Sequence, residues 1–338
     1  MPAVTLTPAG PFSLASGIRF LEGFAPASYD RPADGILRLA FPADDGVSVV
    51  AAGVRQEVRA DGGAGTVRAE FTVHPGTPDP AKTVTAEAAA EGDVRAQLAR
   101  ILSLDVDATG FPGLATDPVV AGLLADHPGL RPVCFHSPYE AAAWAIIGNR
   151  IRMTRAAAIK SRIAHQHGHR VHIAGQTLHA FPTPAALRTL THLPGLTDLK
   201  MQRLHALAEA ALEGKLDAPH LRTLPVDHAL AELRTLPGIG PFSAELILIR
   251  GAGHPDVFPR HEPRVHKAIA TAYGLGAPTT DDVTPLAEIA DRWKPYRSWV
   301  AFLLRVRAQD TLSPGSVCSR ALPDELPQLA PSGGVVSP

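Results

Sequence analysis

The run Leu233-Arg234-Thr235-Leu236-Pro237-Gly238-Ile239-Gly240-Pro241-Phe242-Ser243-Ala244-Glu245 has the composition of an anion grip. A helix predicted over 226–235 enters a tight turn, and a second helix opens at once at Pro241. Gly238 and Gly240 remove the Cβ where backbone must approach closely. The second helix offers unpaired N–H groups and the positive end of its dipole. Pro237, Gly238, Ile239, Gly240, Phe242 and Ser243 would together form a socket for one phosphate, blind to sequence. Ile239, between the glycines, would pin the turn into the core. An ordinary connection between two helices is the alternative.

Charge supports an anionic partner only locally. The net charge of the chain is −1, yet no Asp or Glu occurs from Ala141 to Thr197, where Arg150, Arg152, Arg155, Lys160, Arg162, Arg170 and Arg188 lie. Such a segment makes a positive field unless acids fold over it from elsewhere. His165, His167, His169 and His172 invite a metal, but no Cys or carboxylate stands beside them, and a solvated surface is the simpler expectation. Cys134 and Cys318 are the only two cysteines, expected as free thiols and too few for a four-cysteine zinc or iron–sulfur site. Neither a secretory leader nor a membrane span is expected, which points to a cytoplasmic, nucleoid-associated protein without a membrane partner.

The elements that must position these residues divide the chain in two, an α+β organisation. Residues 1–92 read as an antiparallel β-sheet domain, with strands at Ile36–Phe41, Val47–Ala52, Gly65–Val73 and Lys82–Ala88 and no helix among them. From 93 to 310 the pattern is all-α. Asp117-Pro118 and Ser137-Pro138-Tyr139-Glu140 have the form of helix starts, the second with Glu at the capping-box position. Helices are expected around 140–166, 184–191, 198–213, 226–235, 241–251, 263–273, 283–292 and 295–309. The Pro-, Ser- and Gly-rich stretch 311–338 reads as a disordered tail.

The 233–245 segment resembles the helix-hairpin-helix of DNA glycosylases. Gly253-His254-Pro255-Asp256-Val257-Phe258-Pro259-Arg260-His261-Glu262 is similar to the G-x-P-D-x-F-P-x-x-D run of the 3-methyladenine DNA glycosylase II (AlkA-like) branch. Arg292-Trp293-Lys294-Pro295-Tyr296-Arg297-Ser298-Trp299 looks like its W-x-P-[WY]-R-S signature. Ile146-Ile147-Gly148-Asn149 resembles its A-I-L-G-Q helix end. The likeness spans roughly residues 10–310 and implies an N-terminal antiparallel sheet domain ahead of an all-α helix-hairpin-helix glycosylase body. It also implies an enzyme of base-excision repair that flips a damaged, alkylated base out of double-stranded DNA and hydrolyses its N-glycosidic bond. A carboxylate would then face an oxocarbenium-like sugar. No lysine occurs over 237–250, so a monofunctional enzyme is expected; a monomer is expected as well. It needs no cofactor, although the backbone carbonyls of Leu236 and Ile239 could hold a structural Na⁺ or K⁺.

Several positions depart from the family pattern. The catalytic Asp is replaced by Glu262, whose extra methylene moves the carboxylate by about 1 Å. The base pocket would comprise Phe242, Leu246, Trp299, Arg305 and Trp144, poorer in aromatics than its relatives, and either tryptophan could be plain core. Arg305 takes a place that can be Trp. It would repel a cationic purine, hydrogen-bond a neutral lesion or pair with Glu262. The wedge slot is Asn149-Arg150, where an Arg can fill the gap left by the flipped base or bind phosphate. A DNA- or lesion-binding protein with weak or no chemistry is the competing reading.

Overall fold

The computed structural model describes residues 1–26, 34–57, 65–76, 86–276 and 283–312. β1 (Ala3–Leu6), β2 (Leu37–Pro42), β3 (Val49–Gln56) and β4 (Val67–His74) form one antiparallel sheet in the order β1-β4-β3-β2. β4 alternates as a half-covered strand should: Val67, Ala69 and Phe71 are buried, Arg68 and Glu70 exposed. β3 is buried from Val49 to Val54 because both its faces are covered. Val50 and Ala52 share a core with α1 (Leu14–Glu22) and α2 (Ala86–Ile101). Val49 and Ala51 meet a second hairpin, β5 (Arg170–Ile173) and β6 (Gln176–His179), through Val171 and Ile173.

Three elements here differ from expectation. α1 stands among the strands, started by Ser13, whose side chain accepts from Ser16 N, and buried through Leu14, Ile18 and Leu21 on one face. Of the strand expected at Lys82–Ala88, residues 86–88 open α2 instead, and 82–85 lie outside the described residues. The β5–β6 hairpin falls in the basic stretch read as helix and loop. Its turn uses Ala174 (φ 46°) and Gly175 (φ 79°), the left-handed pair that a two-residue hairpin turn requires.

After a 3₁₀ turn at Phe111–Thr116 the chain is mainly helical: α3 (Pro118–Asp126), α4 (Pro138–Gly148), α5 (Met153–His167), α6 (Pro184–Leu187), α7 (Asp198–Leu212), α8 (Ala218–Thr223), α9 (Val226–Arg234), α10 (Pro241–Leu246), α11 (Pro263–Ala272), α12 (Thr284–Asp291) and α13 (Arg297–Leu312). Asp117 and Ser137 cap their helices, accepting Val119 N at 2.9 Å and Glu140 N at 3.1 Å. Glu140 does not complete the box; its buried carboxylate takes Lys160 Nζ at 2.6 Å and His136 Nδ1 at 2.7 Å instead. The helix expected over 140–166 is two, parted where Arg150 turns to φ 58°. α8 is unpredicted. Thr311 and Leu312 continue α13, and the rest of the expected tail, with Cys318, lies outside the described residues.

α10 runs on as a π turn over Ile247–Gly251 that lies against α4, where a Cβ on Gly251 would stand 2.8 Å from Pro138 Cα. The helices fill two further cores, one over α4–α10 and one joining α3 to α11–α13. Half-buried Arg250 sits at their meeting with the sheet. Its guanidinium lies 5.3, 5.0 and 5.1 Å from the rings of Phe20, Phe24 and Phe302 and donates to Val133 O. Burial draws its pKa down to about 10, so it stays charged at neutral pH. Arg100 of α2 adds a second tie, with Nη2 on the Asp44 carboxylate (2.8 and 2.6 Å) and Nη1 on Gly251 O (3.0 Å). The molecule is thus a small antiparallel sheet with many helices. Among the described residues, no helix is long and apolar enough to cross a membrane.

Candidate nucleic-acid interface and active site

The hairpin is built from its apolar residues outward. Leu236 and Ile239 are buried in the α4–α10 core, and Ile239 N donates to Leu236 O at 3.1 Å, closing the turn. Gly238 has φ 88°, and a Cβ there would also fall 2.6 Å from Arg203 Cδ, because that side chain of α7 lies across the turn. At Gly240, by contrast, a Cβ would meet nothing within 4 Å, so the outer side of the turn is open. No side chain caps the start of α10 at Gly240, and Pro237 and Pro241 are exposed beside it, as is Phe242 at 43%. Ser243 is half-buried.

A second turn is fastened to the same helix. α4 ends at Gly148, and the exposed Asn149-Arg150 pair follows with Arg150 in the left-handed region. For a non-glycine residue this conformation costs about 1–2 kcal/mol and persists only where its surroundings impose it. Lys200 of α7 does so, donating from Nζ to Ile147 O (2.7 Å) and Asn149 O (2.9 Å). Burial, with the nearby charges of Arg203 and Arg155, lowers the Lys200 pKa. Within the basic stretch, Lys160 pairs with Glu140 and Arg188 approaches Glu209 at 3.8 Å. Among the described residues, no ion pair forms at Arg150, Arg152, Arg155, Arg162 or Arg170, so the positive field is largely uncovered. The histidines make two ring pairs, His165–His179 at 4.3 Å and His74–His169 at 5.0 Å. Among the described residues, no group of three or more His, Cys, Asp or Glu could hold a metal.

Glu262 stands half-buried at the start of α11, where its Oε1 accepts Arg264 N at 3.2 Å. The run leading to it is pinned at successive points. Arg297 grips Asp256 through Nε (2.7 Å) and Nη2 (3.1 Å), while Ser298 Oγ accepts Val257 N at 2.9 Å and donates to Val257 O. The two sequence signatures around 256 and 297 are therefore halves of one joint. His266 contacts Pro259 O at 2.8 Å, and Glu245 of α10 holds Arg260 and His261.

Arg305, half-buried on α13, has its pKa lowered by burial and by the charge of Arg264, with Glu262 opposing. Leu246 is half-buried against the α4–α10 core. Trp144 lies inside that core and Trp299 inside the other, 5.2 Å from Phe111, so neither ring presents a face at the surface.

The contacts close a ring. Arg203 joins the hairpin to α7, and Lys200 joins α7 to the Asn149-Arg150 turn. Arg264 Nη1 reaches Met153 Sδ at 3.7 Å, linking α11 to the start of α5. Glu245 returns from the Glu262 loop to the hairpin's second helix. Sequence reasoning missed Lys200, Arg203 and Glu245. The first two lie on a helix that no motif marks, and Glu245 gave only the small signal of an acid among buried neighbours.

No protein-family model matches the chain. It is 26% identical to the DNA-3-methyladenine glycosylase of Bacillus subtilis over 208 residues, 60% of this chain and 67% of that protein. It is 32% identical to DNA-3-methyladenine glycosylase 2 of Escherichia coli over 185 residues, 52% of this chain and 59% of that protein. The chain thus spans about two thirds of the first and less of the second. The solved 3-methyladenine DNA-glycosylase from Archaeoglobus fulgidus superimposes with a TM-score of 0.69 at 22% identity, covering 94% of this chain and 100% of that one. In sequence this chain is thus similar to bacterial DNA-3-methyladenine glycosylases, and it shares the fold of the solved 3-methyladenine DNA-glycosylase.

Proposed function

We propose that this protein is a monofunctional DNA glycosylase of base-excision repair. It grips duplex DNA, takes a damaged, alkylated base out of the stack and hydrolyses its N-glycosidic bond. The observation that carries this is the ring of contacts gathering the hairpin, the Asn149-Arg150 turn and Glu262, in a chain related to 3-methyladenine DNA glycosylases.

In this reading the hairpin and the cations of α5 and α7 hold phosphates, and Arg150 fills the gap left by the flipped nucleotide. The C1′–N electron pair leaves with the base, which departs neutral when it is an N-alkylated purine. Water then adds to C1′ and releases a proton. The carboxylate of Glu262 opposes the positive charge on the sugar between these events. Phe242, Leu246 and Arg305 border the base. The carbonyls of Leu236 and Ile239 suit a monovalent cation, since each oxygen has two lone pairs and the turn uses one of Leu236's. The boundary expected at 92 falls inside α2, whose Val94, Leu98 and Ile101 lie in the sheet core, so the N-terminal domain would run on to about residue 101 ahead of the helical body, in a monomer working in the cytoplasm on nucleoid DNA.

The test is base release from duplexes carrying alkylated, deaminated or oxidised bases, comparing the wild type with Glu262→Gln. Release of an alkylated base is expected, slowed about 100-fold or more in the variant, with unchanged binding to an abasic-mimic duplex. Binding without release from any duplex would make the chain a DNA-binding protein of this fold. No binding even at low salt ends the reading.

A further inference from the structure

We infer that Glu245 is the positioning residue of the active site, fixing where the Glu262 carboxylate stands; this rests on the glycosylase reading above. Glu245 lies on α10 at 3% exposure. Its Oε1 accepts Arg260 N at 3.1 Å and pairs with His261 Nδ1 at 2.7 Å, and its Oε2 accepts His261 N at 2.9 Å. Every hydrogen bond found for this carboxylate goes to two consecutive residues, and the next residue in the chain is Glu262.

A buried carboxylate is costly unless hydrogen-bonded, and an apolar residue would pack more simply beside Ala244 and Leu248. What the carboxylate provides is three charge-assisted bonds from a rigid helix to an otherwise irregular segment. It joins the two helical cores at the point where the chain crosses between them, since Val257 belongs to one and Phe258 to the other. It also makes the hairpin's second helix the reference for Glu262. A phosphate held at the start of α10 and a carboxylate meeting a sugar are thereby kept at a fixed separation, and a shift of about 1 Å at a reacting group can cost 100-fold in rate.

The experiment compares the full-length wild type with Glu245→Gln by amide hydrogen exchange, single-turnover base release and affinity for an abasic-mimic duplex. An amide keeps the size but offers one acceptor oxygen and turns a donor toward the loop. Faster exchange at Arg260 and His261, release slowed about 10- to 100-fold and affinity within about twofold are expected. Release from the double variant with Glu262→Gln should be no slower than from Glu262→Gln alone. Unchanged exchange and release would overturn the inference, as would equal losses of binding and rate, the mark of general damage. If Glu245→Gln does not fold, Glu245→Asp, which keeps the charge and draws it back from the loop, must give the same pattern. If the wild type releases no base, the glycosylase reading fails by itself. The exchange data still decide the clamp, and unprotected Arg260 and His261 amides in the wild type would refute it.

Discussion

Gly238 shows how one missing methyl group serves both backbone and surface. Its φ of 88° is strained for any side chain, and Arg203 occupies the space a Cβ would need. Gly238→Ala should destabilise the protein by about 1–2 kcal/mol in urea unfolding. It should also weaken binding to an abasic-mimic duplex about tenfold, because Arg203 must leave the turn. Affinity within twofold of wild type would remove the hairpin from the DNA contact. The sequence made this glycine conspicuous because its pattern is local, Pro-Gly-apolar-Gly between two helical stretches. It was silent about Arg203, whose place over the turn is set by the packing of α7. Glu262 could be singled out only through a resemblance, since a lone carboxylate before a proline carries no chemistry of its own. Trp144 and Trp299, conspicuous by type, lie in the cores, where burying large rings is what such residues most often do.

At the scale of elements, the break between α4 and α5 is imposed from a distance. Helical periodicity runs on past 149, and the chain is turned there by two bonds from Lys200, some fifty positions later. A sequence pattern sees residues three or four apart and not this one. Lys200→Met keeps the apolar stem and leaves the Ile147 and Asn149 carbonyls without their donor. We expect faster amide exchange over 149–152 and a three- to tenfold loss of affinity for the abasic-mimic duplex (~1 kcal/mol, one hydrogen-bond donor). Unchanged exchange would mean that the turn holds itself. The β5–β6 hairpin eluded the reading for a related reason. Val171 and Ile173 alternate as a strand should, but their partners Val49 and Ala51 lie in a sheet far earlier in the chain. The strands of that sheet were legible where alternation and turn residues agreed, as on β4.

The whole molecule should be an acid-sensitive one. Burial alone would raise the Glu140 pKa, but the positive charges of His136 and Lys160 outweigh it and hold the carboxyl well below its ordinary 4.5. A group depressed in the folded state stabilises above its unfolded pKa, and that stability is lost as pH falls below about 4.5. Burial also lowers the pKa values of His127 and His254 from 6.5. The unfolded chain therefore binds protons first, and stability begins to fall as pH drops through about 6.5. Thermal melts from pH 8 to 3 should show two stages of loss. Glu140→Gln should remove the lower stage and cost about 3 kcal/mol at pH 7 by leaving Lys160 without its counter-charge. A melting profile flat between pH 7 and 5 would contradict the histidine assignment.

The ringed guanidinium of Arg250 bears on what happens when the protein leans on a stiff polymer. Sliding one core past another would draw the cation away from its three phenyl faces and from the carbonyl of Val133. On the glycosylase reading proposed above, cores bolted in this way would pass the strain of a protein pressed against a double helix into the nucleic acid.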